Sequence, residues 1–116
     1  MRRRKTNKTS KTQRATLKLF QKGFTPEQIA AQRELTVGSI IGHLAMLITL
    51  GRVNILDLVE PSVIQKVEEA IKATDTYRLT PLKEYCPEEI SYNEIKLVIG
   101  YHKRLVEASK PAEETA

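Results

Sequence analysis

Nine cationic side chains crowd the first 22 residues: Arg2, Arg3, Arg4, Lys5, Lys8, Lys11, Arg14, Lys18 and Lys22, with no carboxylate among them. Cations at that density bind phosphates and displace the counterions condensed on a polyanion, whatever its sequence. A second, smaller set sits further along. Thr36 and Ser39 carry hydroxyls where a helix is expected to begin, a place where hydroxyls and unpaired amides together can hold a phosphate oxygen. His43 lies about one turn beyond them, and Arg52 follows the glycine expected to close that helix. The candidate contacts to a phosphate backbone are therefore Arg2, Arg3, Arg4, Lys5, Lys8 and Lys11 at long range, with Arg14, Lys18, Thr36, Ser39, His43 and Arg52 nearer the folded body.

Catalytic patterns are missing by contrast. There is no GxxxxGK[ST] loop, so ATP hydrolysis is not expected of this chain. Neither HExxH, CxxC nor an EF-hand pattern occurs, and His43 and His102 have no Cys or His at ligand spacing. No catalytic residue, resident metal, cofactor or small-molecule substrate is expected. Tyr77, Tyr85, Tyr92 and Tyr101 are scattered and do not pair into a stacking platform. The one cysteine, Cys86, cannot form an internal disulfide, which fits a reducing, cytoplasmic setting. No 18-residue apolar run marks a membrane span, and the basic start lacks the apolar stretch of a secretory signal.

The elements that must position the candidates read mainly as helices. A first helix is expected from about Thr12, as cap, to Lys22, with Leu17 and Phe20 inward and Gly23 past its end. Thr25, Pro26 and Gln28 give the second helix a cap, a first-turn proline and a capping box, with Phe24 and Ile29 as the hydrophobic staple. Residues 32–35 form the turn. Thr36 caps a third helix whose inward stripe is Ile40, Ile41, Leu44, Leu47 and Ile48, ended by Gly51. Ser39, Gly42, His43, Met46 and Thr49 are expected to face outward. Arg52 to Ile55 alternates polar and apolar residues, the period of a short strand, and suggests a reduced wing. A second helical half follows: one helix after Pro61, a short one from Thr80-Pro81 to before Pro87, and a last one opened by the Ser91–Glu94 capping box with an Ile90–Ile95 staple.

The net charge of +5 divides unevenly: residues 23–116 hold ten bases against all fourteen acids, a net of −4. The expected organisation is a disordered basic arm or linker over residues 1–11, a folded domain over 12–107 and a solvated tail over 108–116. The fold class is mainly α: a three-helix, winged-helix-like helix-turn-helix unit with a reduced wing, followed by a second helical half. Guanine readout needs Arg or Lys and adenine readout needs Asn or Gln. The outward residues of the third helix include none of these, so the motif suits phosphate or protein contact better than sequence readout.

The stretch TLKLFQKGFTPEQIAAQRELTVGSIIGHLAMLITLGRVNI resembles the helix-turn-helix domain at the C-terminus of bacterial RecQ-family DNA helicases. The matching positions are Thr16, Leu17, Leu19, Phe20, Gly23, Ile29, Ala30, Arg33, Ile40, His43, Leu44 and Gly51. RLTPLKEYCPEEISYNEIKLVIGYHKRL is similar to that family's second half, so the likeness runs from about Thr12 to Leu105. It implies a non-catalytic accessory domain of a bacterial, cytoplasmic DNA helicase. The parent would supply an ATP- and Mg-dependent motor upstream and serve DNA repair and recombination. The implied partners are single-stranded or forked DNA and the motor itself; His43 alone is carried over as a candidate contact. Two other readings stand beside this one: a protein-interaction module docking the motor or a partner, and a free-standing transcription regulator.

Overall fold

The computed structural model describes residues 9–108. Six α-helices follow one another: α1 (Lys11–Gln21), α2 (Pro26–Arg33), α3 (Val37–Thr49), α4 (Pro61–Thr74), α5 (Leu79–Tyr85) and α6 (Tyr92–Ala108). Most boundaries have a local cause. Thr25 accepts from the Gln28 amide while the Gln28 side chain accepts from the Thr25 amide, the reciprocal box read from the sequence. The Ser91–Glu94 pair does the same ahead of α6, with Ile90 and Ile95 both buried beside it. Between α2 and α3 the chain turns at Glu34, whose backbone is left-handed (φ 58°), and the Leu35 amide reaches back to the Ala30 carbonyl at 2.9 Å.

Two expectations at the chain's folded start and middle are corrected. α1 is capped by Ser10, not Thr12, because Gln13 sits three residues after Ser10 and completes a capping box. Lys11 is therefore the first helical residue of α1, and α6 is described as far as Ala108. The expected wing strand does not form: no strand occurs among the described residues. Val53 and Ile55 are buried and Arg52 and Asn54 exposed, so the alternation read from the sequence does describe burial. With no second strand to pair with, the segment closes into a 3-10 turn (Ile55–Asp57), in which Asn54 Oδ1 accepts from the Leu56 amide.

The first three helices pack on one another around Leu17, Ile29, Ile40, Leu44, Leu47 and Ile48. α4, α5 and α6 form the second half around Val67, Ala70, Leu82, Ile95 and Val98. The halves share one core because α6 packs along α3 more extensively than any other two elements pack together. Contact is close: a Cβ on Gly100 of α6 would stand 2.5 Å from the Ala45 carbonyl oxygen of α3. No described helix is long and apolar enough to cross a membrane.

Candidate nucleic-acid interface

The three helices of the first unit are tied at one buried hydroxyl. Thr16 of α1 is fully buried. Its Oγ1 accepts from Arg33 Nη1 of α2 at 2.7 Å and lies 2.9 Å from His43 Nδ1 of α3. Arg33 also donates to the Thr12 carbonyl (2.9 Å) and the Thr12 hydroxyl (3.0 Å). Burial lowers the His43 pKa below its ordinary value, and the neighbouring Arg33 charge lowers it further. A neutral imidazole whose Nδ1 accepts from the Thr16 hydroxyl lets that one hydroxyl both accept and donate.

This network relocates one candidate. His43 was expected on the exposed side of α3; its ring is half-buried and turned onto α1. Thr49, also expected outward, donates to the Gly100 carbonyl at 2.9 Å and to the Ala45 carbonyl at 3.0 Å, so it belongs to the α3–α6 contact. At the tip of α3, Thr36 and Ser39 are exposed, but the Thr36 hydroxyl accepts from the Ser39 amide and donates to Ser39 Oγ, both at 3.0 Å. Its hydrogen-bonding capacity goes first into capping. The exposed face of α3 reduces to Gly38, Ser39, Gly42 and Met46, with none of the Arg, Lys, Asn or Gln side chains that make bidentate base contacts.

The described cations gather elsewhere. Lys11, Arg14 and Lys18 follow one another at helical spacing along the exposed side of α1. Arg14, Lys18 and Arg52 border a single concavity of about 380 Å³, so a residue beyond the end of α3 joins two from α1. Arg14 Nη1 also donates to the Thr9 carbonyl at 2.8 Å, which orients its guanidinium. Arg52 lines in addition a neighbouring depression of about 650 Å³ together with Arg104, Tyr101 and Asp57.

Arg104 was missed by reasoning from sequence. It lies over Gly51, where an added Cβ would meet its Nη1 at 2.5 Å, and Gly51 is held at a φ of +80°. Nothing near Arg104 in the chain marks it: it reaches the end of α3 only because α6 packs there. Five of the described sequence-predicted residues fall into two groups. Arg14, Lys18 and Arg52 come together near the C-terminal end of α3. Thr36 and Ser39 sit at its other end, about 20 Å away along a 13-residue helix. Arg2, Arg3, Arg4, Lys5 and Lys8 lie outside the described residues. Among the described residues no group of three or more His, Cys, Asp or Glu is placed to hold a metal ion.

A family model described as a helix-turn-helix domain matches residues 12–99. No curated protein and no solved structure matches the chain.

Proposed function

The chain belongs to the helix-turn-helix domain family, and from that premise we propose that it is a non-catalytic accessory domain that binds nucleic acid through its phosphates, without strong sequence specificity. Helix-turn-helix domains are in general nucleic-acid binders. The observation that carries the finer reading is the placement of charge. Arg14, Lys18 and Arg52 share one exposed concavity, while the exposed face of α3 has no Arg, Lys, Asn or Gln for bidentate base contacts. Phosphate contacts fix position and supply affinity; without base-edge contacts they carry no sequence information.

The parent in this proposal is a RecQ-like ATP-dependent DNA helicase. The support is the likeness of both halves of the sequence, from Thr12 to Leu105, to the C-terminal domain of that family. The motor, with its ATP and Mg, would lie elsewhere in the parent chain and would be a partner of this domain. A helicase must hold strands and forks of any sequence, which suits a third helix without readers. The gene tests the parentage directly: an ATPase reading frame running continuously into Arg2 is expected, and its absence removes the helicase from the proposal.

Binding is tested by fluorescence anisotropy on oligonucleotides of unrelated sequence. Neutralising Arg2, Arg3, Arg4, Lys5, Lys8 and Lys11 should lower affinity equally for all of them and flatten the salt dependence. Six phosphate contacts correspond to a loss of roughly 10³-fold between 50 and 200 mM salt. Unchanged binding after neutralisation would remove these six cations from the mechanism. A strong preference of the wild-type chain for one duplex sequence would overturn the claim about readout.

A further inference from the structure

α6 runs against α3 and flanks its exposed face. The Gly100 backbone sits against the Ala45 carbonyl and Thr49 donates to the Gly100 carbonyl, so the two helices move as one body. Packed helices stand about 8–10 Å apart axis to axis and are each about 10–12 Å across. Were both helices to enter side by side, the pair would span roughly 20 Å, against a major groove of about 12 Å that admits one helix. Between the two helices, however, runs an open groove of about 310 Å³. Gly42, Met46 and Thr49 of α3 line it on one side, Lys96 and Lys103 of α6 on the other, and Tyr77 lines it too. Among the described residues no carboxylate lines it.

We propose that this groove is a subsite for single-stranded nucleic acid, with Lys96 and Lys103 on successive phosphates and the strand lying over the uncharged face of α3. The inference rests on the nucleic-acid reading above and narrows it to a type of strand. The cations that α3 lacks are supplied by the helix packed beside it. Lys96 and Lys103 are seven residues apart on α6, about 10 Å along its axis, too far to share one phosphate. The apolar floor accepts unstacked bases, which a duplex would keep inside. Tyr77 is partly exposed, with Lys103 Nζ over its ring 5.3 Å from the centroid and its hydroxyl 2.8 Å from His102 Nδ1, so the ring is fixed at the edge of the groove. A groove whose only charges are positive, beside the third helix of a helix-turn-helix unit, fits a polyanion with exposed π-faces better than it fits an acidic peptide.

The test uses the full chain with a labelled oligothymidylate of about 12 nucleotides, within the span such sites cover, and a duplex of equal length. The double charge reversal Lys96→Glu, Lys103→Glu should weaken oligothymidylate binding at least tenfold while changing duplex binding less than threefold. The milder pair Lys96→Gln, Lys103→Gln should lower the single-strand salt slope by about 1.4, two contacts at about 0.7 each. In amide NMR spectra the Gly42 and Gly100 signals should shift on titration of the wild-type chain with oligothymidylate. Unchanged oligothymidylate affinity in both variants, with still glycine signals, overturns the proposal and leaves the groove to an acidic, apolar peptide. Equal losses on both probes also overturn it. If the wild-type chain binds neither probe in dilute buffer, the broader nucleic-acid reading fails with it.

Discussion

The Thr16 hydroxyl and His43 Nδ1 meet at 2.9 Å across the α1–α3 interface, and the same hydroxyl takes a 2.7 Å hydrogen bond from Arg33 of α2. One buried oxygen thus joins all three helices of the helix-turn-helix unit. The histidine on the third helix, a candidate for phosphate contact, is occupied in holding that helix in place.

Removing the hydroxyl should be costly. Thr16→Val keeps the shape of the side chain but leaves the buried side of His43 and one Arg33 donor without their partner. A loss of about 1–3 kcal/mol is expected, the cost of orphaning buried polar groups, read as a lower urea midpoint with an unchanged slope. Thr16→Ser, which keeps the oxygen, should recover most of it. A wild-type midpoint in Thr16→Val would mean the network contributes nothing to stability.

The network also makes stability depend on pH. Burial and Arg33 hold the His43 pKa below its ordinary value of 6.5. The unfolded chain therefore takes up a proton on His43 before the folded chain does, and as pH falls through 6.5 the unfolded state is favoured. The contribution is complete above 6.5, declines below it, and levels off once pH passes the lowered folded value. Urea midpoints measured from pH 7.5 to 5.5 should fall for the wild type and fall less for His43→Gln. Parallel curves for the two proteins would contradict this.

Two glycines should respond oppositely to the same substitution. At Gly100 a methyl group would collide with the Ala45 carbonyl, so Gly100→Ala should push α6 off α3 and cost about 1–3 kcal/mol. At Gly42 nothing lies within 4 Å of the added carbon. Gly42→Ala should therefore raise stability by up to about 1 kcal/mol through helix propensity alone. Thermal melts of the two variants, run side by side, check the pair; a destabilised Gly42→Ala would show that this face of α3 is less open than described.

The described part of the cationic patch can be separated from the arm. Replacing Arg14, Lys18 and Arg52 with glutamine should lower affinity for duplexes of any sequence alike. The slope of log affinity against log salt should become shallower by about 2.7, three contacts at about 0.9 each. All three side chains are exposed, so the melting temperature should hardly move. Anisotropy titrations at several salt concentrations measure both quantities, and an unaltered slope would take these residues out of the interface.

Much of this was legible in the sequence because it is local. A capping box needs two residues three apart, and Thr25–Gln28 and Ser91–Glu94 close as they read. The apolar stripe of α3 follows from a 3.6-residue period, and all five of its residues are buried. Two helix starts were misread: at α1 two hydroxyl residues stood near the start and the position of Gln13 selected Ser10 over Thr12, and α5 begins at Leu79, after Arg78, rather than at Thr80-Pro81. The wing misled for a related reason: alternation reports which side chains face a core, but a strand exists only if another strand accepts its hydrogen bonds.

The sequence by itself determined the helices, the turn between α2 and α3, and the uneven charge, since each depends on residues within a few positions of one another or on composition alone. Tertiary structure decided what those helices present. It drew His43 and Thr49 inward onto partners 27 and 51 residues away, set Arg52 beside Arg14 and Lys18, and laid α6 along α3 with Lys96 and Lys103 at the groove. No local period encodes those choices; they follow from which buried polar groups can satisfy one another and from the space that a missing Cβ leaves at Gly100.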